Sequence, residues 1–149
     1  MAIHYRLFLT VLLVTCVPAA LADNPRLKAL IVDGQNNHTV WPRSTVMMKH
    51  YLEQTGRFEV EVYRSNPTWR GDSYPEDYAM FTPAGTVSAE EPEPDPGFAP
   101  DFGEYDVVIS NFGYRAADWP AATQAAFESY VSAGGGFVAV HAANNSFPD

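Results

Sequence analysis

Polar side chains capable of binding or proton transfer fall in three short stretches, each following an apolar run. The candidates are His141 and His38 as catalytic residues, and Asp33, Gln35, Asn36, Asn37, Asn111, Tyr114, Asn144 and Asn145 as ligand-binding residues. Neutral amides donate and accept hydrogen bonds, as a polyhydroxylated ligand requires. Imidazoles transfer protons near neutral pH and also ligate metal ions. The set predicts a site for a sugar or another polar neutral ligand.

His141 is the strongest of these candidates, because it directly follows four apolar residues, FVAV. At such a position it can act as a general acid or base, or serve a structural role by bonding to the backbone. His38 is a similar but weaker candidate. An alternative is a divalent metal ion held by His38, His141 and Asp33. The sequence contains none of the usual metal-ligand spacings, so no metal ligand is assigned.

Four segments with the composition of strands and two with helical spacing must position these side chains. The strands are predicted at Leu27–Val32, Phe58–Tyr63, Tyr105–Ser110 and Phe137–Val140. The helices are predicted from Trp41-Pro42 to Gly56 and from Trp119-Pro120 to Gly134, the second capped by Asp118. The order predicts an α/β domain with a parallel sheet. Ligands bind at the carboxyl ends of such strands, where the three polar stretches fall.

The apolar periodicity also predicts which face of each helix is buried. In the first helix the expected face is Ser44, Met47, Met48, Tyr51, Leu52 and Thr55. In the second helix it is Thr123, Ala126, Phe127, Tyr130 and Val131.

Residues 64–104 interrupt the regular pattern with seven prolines and an acidic run, Glu90, Glu91, Glu93 and Asp95. Such a composition buries too little apolar area to offset the entropy of ordering the segment. It predicts an excursion over the surface, with a lid over the site as the alternative.

The amino terminus has the features of a secretory signal. Arg6 precedes an apolar run, and Ala20-Leu21-Ala22 supplies small residues for cleavage. The run is too short for a membrane span of about 20 residues, and a lipid attached at Cys16 is a minor alternative. Residues 1–22 are therefore predicted to be a signal peptide and residues 23–149 one exported domain, periplasmic or extracellular. The only cysteine, Cys16, would leave with the signal.

Charge and missing motifs exclude several classes of function. The net charge of −9 argues against nucleic acid and anionic membranes as partners. The chain has no G-x-x-x-x-G-K-[ST] phosphate loop, no G-x-G-x-x-G after the first strand and no G-x-S-x-G elbow.

Three segments resemble the ThuA-like domain of the trehalose-utilization family. They are KALIVDGQNNH with Trp41-Pro42, then YDVVISNF, and then GGGFVAVHAANNSFPD. The resemblance implies a flavodoxin-like three-layer fold, related to class I glutamine amidotransferases, whose C-terminal part lies beyond this sequence. Amidotransferase relatives carry a nucleophilic cysteine on the turn after the last strand. Here that turn is His141-Ala142-Ala143-Asn144, without a thiol, which argues against a cysteine-dependent glutamine amidotransferase.

The resemblance also implies a role in processing trehalose, related disaccharides or their keto derivatives. It favours His141, Asn144, Asn145, His38 and Asn37 as site residues. The leading hypothesis is an exported sugar-processing enzyme, a hydrolase or isomerase, with a small-molecule sugar as its partner. The alternatives are a carbohydrate-binding or sensing domain without catalysis, and a metal-dependent hydrolase. The oligomeric state stays open.

Overall fold

A five-stranded parallel sheet organises the computed structural model, which describes residues 25–71 and 88–146. The strands are β1 (Leu27–Gln35), β2 (Phe58–Trp69), β3 (Ser88–Ala89), β4 (Val107–Ser110) and β5 (Gly136–Ala139), and the helices are α1 (Trp41–Gln54) and α2 (Ala121–Ser132). The predicted α/β class is confirmed. The proposed signal peptide lies outside the described residues, as does the centre of the proline-rich segment. Within the described ranges, no helix is long and apolar enough to cross a membrane.

The strand order is β3-β2-β1-β4-β5, with every neighbouring pair parallel. The central strand β1 is flanked by β2, which follows it through α1, and by β4, which follows much later in the chain. The order therefore reverses at β1, as in a flavodoxin-like sheet, and a crevice forms beyond the carboxyl ends of β1 and β4.

Alternate residues of β1 supply two separate cores, which explains its nearly continuous apolar sequence. Leu30 and Val32 join a cluster that includes Phe98, Phe102 and Trp119, with Phe127 and Tyr130 of α2 packed against it. Ala29 and Ile31 join a second cluster, against which Met48 and Leu52 of α1 pack. The two helices thus cover opposite faces of the sheet, giving the expected three layers.

The buried faces of both helices differ from the periodic prediction. In α1 the prediction is wrong for Met47, Tyr51 and Thr55, which are exposed, and the helix is instead anchored by the buried Trp41 and Thr45. Trp41 fixes the rotation of α1 about its own axis, because its indole Nε1 donates to the Trp69 carbonyl. In α2, Thr123 is buried as predicted, whereas Ala126 and Val131 are exposed.

The start of α2 also needs correction, because Asp118 does not cap it. Pro120 occupies the capping position in an extended conformation, and no side chain bonds to the free amides. The Pro120 carbonyl accepts hydrogen bonds from the backbone amides of Thr123 and Gln124. Proline suits this boundary because it cannot continue a helix toward the N-terminus.

The prediction that residues 64–104 form only a surface excursion is wrong at both ends. Strand β2 continues to Trp69, and the short β3 pairs with it. Phe98 and Phe102 are fully buried in the aromatic cluster around Trp119. Burial of these rings offsets the entropy lost when the segment becomes ordered. The acidic and proline-rich composition had suggested that this loss would not be compensated.

The amino-terminal edge of the sheet carries a hydroxyl with a perturbed pKa. Tyr105 donates to a carboxylate oxygen of Glu61 at 2.8 Å. Burial, followed by this hydrogen bond and the surrounding negative charges, raises the pKa of Tyr105 to about 12. This edge lies opposite the predicted site, so the raised pKa of Tyr105 is a property of the fold and not of the site.

Candidate functional site

The loops after β1 and β5 bring the two candidate catalytic histidines together. His38 and His141 are 103 residues apart in sequence, yet their Nε2 atoms lie 3.2 Å apart. Both side chains are exposed at the carboxyl edge of the sheet. The predicted juxtaposition of these loops thus creates an open pair of imidazoles.

Each histidine is positioned by its own loop. The backbone amide of His38 donates to Asn36 Oδ1, and the Asn36 amide nitrogen donates to the carbonyls of Asn111 and Phe112. His141 opens the short 3₁₀ turn His141–Asn145 with φ of 47°. Few residues other than glycine adopt this left-handed conformation, and those that do concentrate at functional sites.

Asp33 lies beneath the site in a buried ion pair. Its carboxylate accepts hydrogen bonds from Arg64 Nε at 2.7 Å and from a second guanidinium nitrogen at 2.8 Å. The hydroxyl of Thr45 donates to the same carboxylate at 2.7 Å. Asp33 is 0% exposed, so the structure gives it an internal partner and no opening toward a ligand.

Three further amide candidates are also buried and bonded within the protein. Gln35 donates to the carbonyls of Pro67 and Glu93, and its Oε1 accepts from the Ala117 amide. The amide nitrogen of Asn111 donates to the Trp41 carbonyl and to hydroxyls of α1, and Asn36 has the contacts described above. These side chains hold the loops in place beneath the two histidines.

The remaining candidates reach the surface around the pair. Asn37 is half-buried, and its Oδ1 accepts from the backbone amide of Tyr114, whose ring is exposed. Asn144 and Asn145 are exposed in the turn that begins with His141. A ligand at the carboxyl edge therefore has access to these amides.

A cavity of about 500 Å³ opens beside the turn, between β4, β5 and α2. Its lining consists of aromatic and polar side chains together with small residues: Ser110, Asp118, Trp119, Gln124, Phe127, Glu128, Phe137, Ala139, Ala143 and Asn144. Only Asn144 of the predicted site residues takes part. The spacing of Gln124, Phe127 and Glu128 places them on one side of a helix, and this was the signal in the sequence that could have predicted the cavity. It was missed because Phe127 was assigned to the core.

Comparison with known proteins identifies the family. The chain matches none of the protein-family models and none of the curated proteins with which it was compared. It is similar to the crystal structure of a protein provisionally described as ThuA-like from Parabacteroides merdae ATCC 43184, with a TM-score of 0.61 and 32% sequence identity. The similarity covers 83% of this chain and 35% of that chain. The chain is ThuA-like.

The ThuA-like chain thus spans about a third of the length of the solved structure that it matches. The predicted resemblance and the flavodoxin-like fold are both confirmed by this similarity. In the ThuA-like chain the turn after β5 carries His141, followed by Ala142 and Ala143, and the sole cysteine of the sequence is Cys16. Residues 25–71 and 88–146 contain no group of three or more histidine, cysteine or acidic side chains arranged to hold a metal ion.

Proposed function

We propose that this ThuA-like chain is part of an exported carbohydrate-processing protein whose ligand is trehalose, a related disaccharide or a keto derivative. The observation that carries the proposal is the meeting of His38 and His141 at the sheet edge, next to a cavity of about 500 Å³. A volume of this size is typical of small-molecule sites.

The lining of the cavity supports a sugar as the ligand. Trp119, Phe127 and Phe137 offer apolar surface for the C–H face of a pyranose ring. Gln124 and Asn144 both donate and accept hydrogen bonds, which matches the hydroxyl groups of a sugar. The lining thus combines apolar area with polar side chains that can orient the ligand.

The histidine pair supports acid–base chemistry on that ligand. At 3.2 Å, one neutral imidazole can donate a proton while the other accepts one. His141, placed in the turn that also contributes Asn144 to the cavity, would transfer the proton to or from the sugar. His38 would then exchange that proton with solvent.

Titration of the full-length protein with trehalose, followed by calorimetry and thermal unfolding, tests the proposal. The variant Phe137→Ala should weaken binding at least several-fold, because it removes an aromatic wall of the cavity. The matched control Val138→Ala alters the next residue of β5, which does not line the cavity, and should bind like the parent. Equal affinity of both variants, or absence of binding by every disaccharide in the series, would refute a sugar site here.

A second candidate function is carbohydrate binding without catalysis. It is favoured because, within the described part of the chain, neither imidazole has a carboxylate partner to orient it, and Asp33 is engaged with Arg64. Enzymes commonly orient a catalytic histidine through such a group. If His141→Gln lowers turnover of a bound sugar while affinity is kept, catalysis is supported. Tight binding without turnover by the parent protein would support a binding role.

A further inference from the structure

We propose that His38 and His141 together bind one divalent transition-metal ion, such as Zn²⁺, through their Nε2 atoms. The two nitrogens are 3.2 Å apart, and both rings are exposed. Two imidazole nitrogens at about 2.0–2.1 Å from one tetrahedral ion are about 3.3–3.4 Å apart. The spacing of the pair therefore fits a shared ion with little movement.

The separation of the ring centres is also compatible with a shared ion in place of the direct hydrogen bond between the imidazoles. A nitrogen lies about 1.1 Å from its ring centre, so a straight hydrogen bond along both ring axes would place the centres about 5.4 Å apart. If both Nε2 atoms lie about 2.05 Å from one ion and keep their observed separation, the ring centres are about 4.9 Å apart. The observed separation of the centres is 4.8 Å. This separation of the centres is close to the value for a shared ion.

The backbone holds this arrangement in place. Asn36 fixes the His38 amide, while its own side chain is bonded to the loop after β4. His141 keeps a left-handed backbone conformation directly after β5, with φ of 47°. Such conformations persist where the surrounding structure enforces them and frequently orient functional groups. Preorganised rings lose less entropy when they take up an ion.

The chemistry of the pair determines which ion it can take. Imidazole nitrogens suit Zn²⁺, Cu²⁺ and Ni²⁺, whereas Mg²⁺ and Ca²⁺ prefer oxygen ligands. Asp33, the third ligand in the metal alternative considered from the sequence, is not available, because both of its oxygens are bonded to Arg64 and Thr45. The other coordination positions would therefore be filled by water or by ligand oxygens. Catalytic zinc sites likewise keep a position open to water, with three protein ligands where this pair supplies two.

This inference goes beyond the proposed function, since it requires no sugar. It concerns the same imidazoles, but the metal and the proton compete for the same nitrogen atoms. When the two imidazoles hold a metal ion they can no longer transfer a proton themselves, and the metal ion would bind a water molecule instead. Metal binding and sugar binding can therefore succeed or fail separately.

Calorimetric titration of the full chain with Zn²⁺ alone tests the proposal. The parent should bind one ion per chain at the pair. His38→Ala and His141→Ala should each weaken that binding by more than the roughly tenfold to hundredfold loss typical of removing an outer-shell partner, because each removes a direct ligand. His50→Ala is the matched control, because His50 is likewise exposed but lies on α1, and it should bind like the parent. Excess Mg²⁺ should not displace the Zn²⁺.

Two further measurements distinguish metal ligation from a change in folding. His141→Gly removes the imidazole at a backbone conformation that glycine adopts readily, so it should fold normally and still lose the ion. Co²⁺ bound to the parent should give visible absorption bands that disappear in this variant. Absence of Zn²⁺ binding by the parent, or binding that survives in both His38→Ala and His141→Ala, would overturn the proposal.

Discussion

Replacing Asp33 by asparagine removes the charge at the centre of the buried ion pair. The Asp33 carboxylate is 0% exposed and the Arg64 side chain 6% exposed, so little water reaches either group. Asparagine keeps the size of the side chain but removes the negative charge that faces the guanidinium. Breaking a buried pair from one side costs about 3–5 kcal/mol. A domain is stable by about 5–15 kcal/mol, so the variant should lose a large part of its free energy of unfolding.

Urea unfolding followed by tryptophan fluorescence measures this loss. The matched control is Glu91→Gln, which breaks the pair between Glu91 and Arg115, whose side chains are 70% and 60% exposed. An exposed pair contributes about 0–1 kcal/mol, so the control should unfold near the parent midpoint. The double variant Asp33→Asn with Arg64→Gln should recover part of the loss, since it also removes the buried guanidinium charge that faces Asp33.

The outcome also decides what Asp33 does at the site. If Asp33 only supports the loops, the Asp33→Asn protein that remains folded should bind the ligand of the parent with similar affinity. A loss of stability no larger than that of Glu91→Gln would refute the reasoning from burial. A loss of ligand affinity without a loss of stability would restore Asp33 as a binding residue.

Other replacements test the loops, the strained turn and the far edge of the sheet. A Cβ on Gly113 would overlap the side chain of Asn36, so Gly113→Ala should lower the free energy of unfolding by about 1–3 kcal/mol in urea and weaken Zn²⁺ binding. His141→Gly should leave the free energy of unfolding unchanged or raise it by up to about 1 kcal/mol, because it relieves the left-handed φ; a clear decrease would count against strain at this turn. The pKa of Tyr105 is raised in the folded protein from 10.0 to about 12, so the fold favours the neutral phenol. That contribution is complete below pH 10 and is lost as the pH rises toward 12, so the free energy of unfolding should fall more steeply over this range in the parent than in Tyr105→Phe. Glu61→Gln should reduce the same slope, as measured by urea unfolding at several pH values.

Local patterns were sufficient to predict the framework of the fold. The apolar runs around Ile31 and Val108 indicated buried parallel strands, and Gly134 marked the end of α2. These features depend on neighbours in sequence, which the amino-acid order records directly. The meeting of His38 and His141 also followed, because parallel strands end at one edge of a sheet.

The division between buried and accessible polar residues could not be predicted in the same way. In the sequence, Asp33, Gln35 and Asn111 come after apolar runs, as Asn144 and Asn145 do. Their partners lie tens of residues away, such as Arg64 for Asp33 and the Trp41 carbonyl for Asn111. No local spacing encodes these pairings, so only the assembled sheet distinguishes a supporting amide from one that faces a ligand.

The position of β1 in the middle of the sheet has a consequence for the order of assembly. Its partner β2 follows soon after it in the chain, through α1. Pairing of β1 with β4, however, requires Lys28 to contact Asp106, which lies 78 residues further along the chain. At roughly 5–20 residues per second, a ribosome adds that stretch in about 4–16 s. Until then one edge of an apolar strand stays unpaired in the nascent chain, open to association with other strands. Folding of this protein should therefore be slow and limited by long-range pairing, and chaperone binding during synthesis would be directed at β1.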